Sequence, residues 1–328
     1  MTVCAGLDVH KEKCHGVIVD EDGEVLKDEE FENSLSGVKS FFRGFHHADA
    51  VIEASYSWRP AYERLEEVGI EPKLAHPNEL EAIANSETKT DSVDARTLAH
   101  LLRTGFVPEA YVPPKDIREL RDRTRLRAKL GDEKTRMKGK IRAEMEKYRI
   151  DLDRNPFTKS GKEKLEELKI ESIDHYLAVL ETVEDRIEKL EEEFEDIVED
   201  YEEAKLLKTL PGIGDFSALL ILAEIGDIDR FPDPEKLCSY AGLVPTVHQS
   251  GDHKRLGSIK KERNKFLQWI LIECVWIHVG CSDSQLTQYY RRKKGEKDSK
   301  KAAIATANKM LKTIYYMLKR GEEFRPEG

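Results

Sequence analysis

The sequence predicts an α/β layer fold for its N-terminal part and helices for most of the rest. Residues 3–8, 13–20 and 24–32 read as three short strands, the last two joined by the strong hairpin turn Asp20-Glu21-Asp22-Gly23. Strand-like runs at 50–54 and 71–76 then alternate with helical stretches. Three antiparallel strands followed by alternating helix and strand form the pattern of a ribonuclease-H-like layer fold.

The elements follow in order. Ser34 or Ser36 caps a helix through Phe45. Pro60 suits the first turn of a helix to Val68, and Gly69 suits its C-terminal end. Helices are expected from Asn78 and from about Asp91 to Arg103, and Pro108, Pro113 and Pro114 close the region. Residues 115–149 are helical and basic. Leu180, Val183, Ile187, Leu190, Phe194, Ile197 and Tyr201 are spaced 3-4-3-4-3-4, a coiled-coil seam. That seam fits an intramolecular hairpin with the basic helix, a dimerisation arm, or both. Leu210-Pro211-Gly212-Ile213-Gly214 is similar to the turn of helix-hairpin-helix modules, where backbone N–H groups approach a phosphate; a plain tight turn is the alternative. An apolar helix at 216–225, one at 266–279 that is apolar almost all round, and an amphipathic helix at 300–320 complete the chain. Three parts are expected: 1–112, a catalytic α/β domain; 113–204, a basic helix with an acidic coiled-coil arm; and 205–328, a mostly helical domain with a basic C-terminal helix.

Composition narrows the function. The chain of 328 residues carries 54 Lys and Arg against 64 Asp and Glu, a net charge of −10, which at face value disfavours nucleic acid. The excess is local, because residues 163–203 hold 18 acids and 4 bases. Residues 115–149 hold 14 bases and 7 acids, and 291–320 hold 11 and 2, so phosphate-binding faces remain available. No run approaches the roughly 18 apolar residues of a membrane span. No signal peptide is expected, and the five cysteines, odd in number and without metal-type pairing, read as reduced thiols of a cytoplasmic protein.

Four acids carry the chemistry. Asp8 ends one strand and Glu53 another, while Asp91 and Asp94 lie a turn apart at the start of a helix. If they converge, their mutual repulsion calls for divalent cations, and carboxylates suit Mg²⁺ or Mn²⁺. Two such ions about 3.5–4 Å apart serve phosphoryl transfer. For Asp91 and Asp94 the plain alternative is helix capping and a favourable first-turn charge. Ser250, in a polar loop beside Gly251 and near His248 and His253, is a candidate nucleophile, although serine before glycine is ordinarily a turn residue. Candidate nucleic-acid contacts are Arg125, Arg127, Lys129, Lys138 and Lys140, Gly212 and Gly214, and Lys254, Arg255, Lys260 and Lys261.

Gly6-Leu7-Asp8-Val9-His10-Lys11, then Glu53, then Lys89-Thr90-Asp91-Ser92-Val93-Asp94-Ala95 resemble the RuvC-like domain of the DEDD transposases of insertion sequences, the one-ten group. Leu210 to Gly214, Ala241 to Pro245, Gln249-Ser250-Gly251 and Gly257-Ser258-Ile259-Lys260 resemble that family's serine-bearing second domain. The ordered set covers nearly the whole chain. The resemblance implies a recombinase that excises and inserts its element, in some members guided by a structured bridge RNA. It implies Asp8, Glu53, Asp91 and Asp94 as the metal tetrad, and Ser250 as a nucleophile that links covalently to DNA. It also implies a composite site, with one subunit's serine completing another's carboxylates in a dimer or tetramer. The chain departs from the family after Lys261: Glu262-Arg263-Asn264 and Phe266-Leu267-Gln268 stand where Gly-Asn and Leu-Arg are usual. Three other readings compete. A junction-resolving nuclease would use water in place of Ser250, and a non-catalytic nucleic-acid scaffold would need no metal. An actin-like sugar kinase would need a second copy of the opening hairpin, which is absent from the sequence.

Overall fold

The computed structural model describes residues 3–83, 90–152, 155–250, 253–259, 263–296 and 298–326. The chain divides into two compact units, Met1–Val112 and Pro113–Gly328.

The first unit holds β1 (Cys4–Val9), β2 (Lys13–Val19), β3 (Val25–Glu32), α1 (Leu35–Phe41), β4 (Asp49–Glu53), α2 (Trp58–Glu67), β5 (Pro72–Ala75), α3 (Pro77–Ile83) and α4 (Asp91–Thr104). The strands form one sheet in the order β3-β2-β1-β4-β5. β1 is antiparallel to β2 and β2 to β3, while β1 runs parallel to β4 and β4 to β5. This mixed order is the ribonuclease-H-like arrangement expected from the sequence. The hairpin turn forms as expected: Asp20 Oδ1 accepts from the amides of Asp22 and Glu24, and Gly23 takes the φ of +90° that the turn requires. Ser34, rather than Ser36, caps α1 by accepting from the Gly37 amide at 3.1 Å.

Side-chain alternation sorts the two faces. Ala5, Leu7 and Val9 of β1, with Ala50 and Ile52 of β4, pack with Val38 and Phe41 of α1 and Ala61 and Leu65 of α2. On the opposite face Cys4 and Val17 meet Ala95 and Ala99, and Val51 meets Leu98. Gly6 lets α4 settle on that face, since a Cβ there would lie 2.0 Å from the Ala95 carbonyl oxygen and 2.5 Å from the Ala99 amide nitrogen. Neither backbone atom can yield. Gly6→Ala should therefore lift α4 off the sheet and cost at least about 3 kcal/mol. A thermal unfolding curve matching that of the parent would refute this.

The second unit holds α5 (Lys115–Lys147), α6 (Lys159–Glu167), α7 (Glu171–Ile197), α8 (Glu202–Lys208), α9 (Asp215–Ile225), α10 (Pro234–Tyr240), β6 (Pro245–Ser250), β7 (His253–Ile259), α11 (Lys265–Cys281), α12 (Gln285–Glu296) and α13 (Ser299–Arg320). α5 and α7 lie antiparallel, with Arg127 paired to Glu191, Lys134 to Glu184 and Ser172 to Glu144. The seam residues Leu180, Ile187 and Phe194 are buried within this one chain. Residues 113–204 and 205–328 share the unit because Leu120 of α5 and Phe194 of α7 belong to the same core cluster as α9, α11 and α13.

One expectation changes here. Ser250 ends a strand instead of lying in a loop: β6 and β7 pair antiparallel, with Ser250 opposite His253. The strand pair was hidden in the sequence by the polarity of both strands. α11 supplies Leu267, Leu271 and Val275 to the core of this unit, while Trp276 and Ile277 are exposed. The five cysteines are free, and all but Cys281 are buried. Among the described residues, no helix is long and apolar enough to cross a membrane.

Candidate active site

The site is built where β1, β4 and α4 meet. Cys4, Gly6 and Asp8 alternate onto the α4 face of β1. β1 and β4 are in register at Leu7 and Ile52, so the next positions, Asp8 and Glu53, are neighbours on that same face. α4 runs antiparallel to β1, with Ala95 against Gly6. One turn back from Ala95, Asp91 reaches the level of Asp8. Thr90 is the N-cap of α4, its Oγ1 accepting from the Val93 amide at 3.3 Å, so capping is not the task of Asp91.

Asp8, His10 and Asp91 each offer an atom to one group whose members lie within 4.8 Å of one another. His10 Nε2 is 3.3 Å from Asp8 Oδ2 and 3.3 Å from Asp91 Oδ2. Burial holds the Asp8 carboxyl above the ordinary carboxylate range; His10 pulls it down, and the negative charges of Asp91 and Asp94 push it up again. Asp94 is thus felt electrostatically at Asp8. Asp8 is half-buried while His10 and Asp91 are exposed, so the group opens to solvent on one side.

A second network fixes the first turn of α4. The Asp28 carboxylate on β3 accepts from His15 Nε2 at 2.7 Å, Arg96 Nη2 at 2.9 Å and Ser92 Oγ at 3.1 Å. His15 is the cross-strand partner of Asp8. The hydrogen bond from His15, with those from Arg96 and Ser92, holds the Asp28 carboxyl below its usual range against the effect of burial. Asp28 therefore ties α4 to the sheet at the turn that bears Asp91 and Asp94.

The basic residues expected to meet phosphate divide into two groups. Arg125 makes a two-point pair with Glu224, with Nε to Oε1 at 2.6 Å and Nη2 to Oε2 at 2.8 Å. Arg127 pairs with Glu191 and lies over the Phe216 ring, and Lys138 pairs with Glu184 and lies over Phe157. These three serve the interior of the helical unit, because the acidic α7 and the buried Glu224 recruit them. Lys129 and Lys140 are exposed. Gly212 has φ +94°, and a Cβ there would lie 2.8 Å from backbone atoms of Cys274 and His278. The Gly214 amide donates to Ser217 Oγ at 2.8 Å. Close helix packing and an internal cap thus account for the two glycines. For Ser250, Lys254 and Arg255 the strand pairing is described, with Lys254 opposite Gln249 and Arg255 opposite His248. Lys260 and Lys261 lie outside the described residues.

Sequence reasoning missed three participants. His10 stands two residues after Asp8, the spacing that returns a side chain to the same face of an extended chain. Glu224 is the single acid in the apolar run Phe216–Ile225, and a buried charge of this kind demands a partner. Asn264, in the segment that departs from the family pattern, caps α11 and donates to Glu224 at 2.7 Å and to the Tyr240 hydroxyl at 3.0 Å.

Residues 5–150 match a family model described as a transposase of the DEDD, IS110 type. Residues 204–291 match the model of the transposase IS116/IS110/IS902 family. The transposase for insertion sequence element IS1111A of Coxiella burnetii is 25% identical over 98% of this chain and 90% of its own length. A putative transposase of Sinorhizobium fredii is 28% identical over 83% of this chain and 71% of its own. A Thermus thermophilus RuvC structure in complex with a Holliday junction substrate aligns with 34% of this chain and 100% of its own, at 12% identity and a TM-score of 0.27. With the acids gathered on its sheet, the protein is a DNA transposase of the DEDD type. It belongs to the IS110 family of insertion-sequence transposases.

Proposed function

We propose that this transposase cuts and rejoins the ends of its element with Asp8, Glu53, Asp91 and Asp94 as the ligands of two Mg²⁺ or Mn²⁺ ions and Ser250 as nucleophile. The observation that carries the reading is the convergence of Asp8 and Asp91 with a third donor on the α4 face of the sheet. The donor set fits a hard divalent cation: it is mainly carboxylate, and burial, with a smaller push from the charges of Asp91 and Asp94, holds the Asp8 carboxyl above its ordinary range. Such ions supply charge neutralisation at the phosphate and activation of the attacking oxygen. Asp8 and Glu53 contribute from rigid strands, while Asp91 and Asp94 are aimed by the Asp28 tie.

Ser250, at the end of β6, attacks a backbone phosphorus through Oγ. One DNA hydroxyl leaves, and the phosphoryl group stays on serine as an ester until a hydroxyl of the partner strand takes it back. One ester bond replaces another at each step, so the exchange needs no outside energy source. The serine of one subunit reaches the carboxylates of another, and a structured RNA selects the DNA by pairing. Lys129 and Lys140, and the basic α12 and α13, meet the nucleic-acid backbone.

The test is a trapped adduct. With element-end DNA and Mg²⁺, denaturing gels should show a protein–DNA band that Ser250→Ala and EDTA each abolish. Cleavage without an adduct would assign the attack to water and end the role of Ser250. Undiminished cleavage in excess EDTA would end that of the metal.

Acid should act in a set order. The folded-state pKa of Asp8 is raised, so protons compete with divalent cations from above the ordinary Asp range, near 3.8. That of Asp28 is lowered, so its stabilisation is in place above 3.8 and is lost as pH falls through the folded value. Mn²⁺ affinity should thus fall before thermal stability does. Calorimetric Mn²⁺ titrations and unfolding curves at stepped pH check this, and loss of stability first would contradict it.

A further inference from the structure

The carboxylates account for a hard-cation site, but they do not explain why an imidazole sits between two of them. His10 Nε2 stands 3.3 Å from a carboxylate oxygen of Asp8 and 3.3 Å from one of Asp91. Adjacent ligands on an octahedral cation with bonds of about 2.1–2.2 Å are themselves about 3.0 Å apart. Both edges from His10 are near that value, and the three donor atoms stay within 4.8 Å of one another. A modest inward shift would let all three share one ion.

The backbone of His10 is held as a ligand-bearing segment would need. Its amide donates to the Lys13 carbonyl at 2.9 Å, and its carbonyl accepts from Asn33 Nδ2 at 2.7 Å. Asn33 is itself buried, its amide donating to the Glu12 carbonyl at 2.8 Å and its Oδ1 accepting from Arg64 at 2.5 Å. A buried polar side chain is thus committed to the short connection between β1 and β2. That connection would otherwise be free to move His10 away from the acids.

We infer that His10 is a direct ligand of the cation held at Asp8 and Asp91, adding one imidazole nitrogen to an otherwise carboxylate site. The inference rests on the proposed metal role of those acids. Its chemical consequence is selectivity. Mg²⁺ favours an all-oxygen octahedron, whereas Mn²⁺ and later transition ions accept nitrogen readily. His10 therefore tilts the site toward Mn²⁺.

The experiment uses the untagged full chain with Mn²⁺ alone, read by pulsed electron spin resonance and by calorimetry. The parent should show modulation from a directly bonded ¹⁴N. His10→Ala should remove that signal, keep Mn²⁺ binding and weaken it on the order of a hundredfold, the upper end of what loss of an outer-shell partner gives. Mg²⁺ affinity should fall less, so the Mn²⁺/Mg²⁺ preference narrows. Mn²⁺ bound to the parent with no coordinated nitrogen would overturn the inference. So would a nitrogen signal or an affinity unchanged in His10→Ala. Either result would leave the acids in place if Asp8→Asn still abolishes binding. Mn²⁺ binding undisturbed in Asp8→Asn would instead overturn the metal role of the acids, and His10's with it.

Discussion

Asp8→Asn should abolish strand cleavage and lower divalent-ion affinity by more than about a hundredfold while leaving the fold intact. Outer-shell partners of a metal are worth about 10–100-fold, and a strand-borne ligand at the centre of the group should exceed them. Stability should hold because the Asp8 carboxylate is partly desolvated and faces two other acids. An amide removes that repulsion and retains the shape, so the melting temperature should move by no more than about 2 °C in either direction. Mn²⁺ titration, DNA cleavage and thermal unfolding on one preparation separate the outcomes. A variant that folds, binds Mn²⁺ as the parent does and still cuts would remove Asp8 from the site. A variant that fails to fold would show Asp8 to be structural.

Glu224→Gln should be the most damaging single change to stability in the helical unit. Its carboxylate is fully buried and accepts from Arg125 at two points, from Asn264 at 2.7 Å, and lies 3.8 Å from Arg121. Burial pulls the Arg121 pKa down, whereas for Arg125 the bond and charge of Glu224 outweigh burial and raise it. Removing one partner strands buried cations, which costs about 3–5 kcal/mol and on the order of 10 °C of melting temperature in a unit of this size. Arg125→Ala should fall toward the lower end, because its side chain is 36% exposed and solvent screens part of the pair. Lys129→Ala offers the contrast. It should change stability by less than about 0.5 kcal/mol, and reduce the slope of log affinity for DNA against log salt by about one. If Arg125→Ala lowered the salt slope and left stability alone, Arg125 would be a phosphate contact after all. Asn264 and Tyr240, which lie on either side of β6 and β7 in the chain, both join Glu224's network.

The layer fold was legible because its signals are local. Strand alternation, the Asp-Gly turn and the Ser34 cap each need only neighbouring residues. The α5–α7 pairing was only half legible, since a heptad seam announces the need for a facing helix but not whether that helix comes from the same chain or from a partner. Less legible was the tip that bears Ser250, where polar flanks hid a strand pair. Hidden too was the division of the basic helix, because periodicity gives which residues share a face and not which acid waits opposite. Arg125 and Lys129 are both basic residues of one helix, yet one meets a buried carboxylate and the other meets water.

By itself the sequence determined the kind of scaffold and the identity of the acids at its strand and helix ends, because period, turn chemistry and motif order are written along the chain. Tertiary structure alone decided that α4 descends over Gly6 to bring Asp91 beside Asp8, that His10 stands between them, and that Glu224 claims Arg125. Those outcomes depend on distances between residues tens of positions apart. Such distances are set by how helices seat on a sheet and by the cost of leaving a buried charge alone, and no local pattern encodes them.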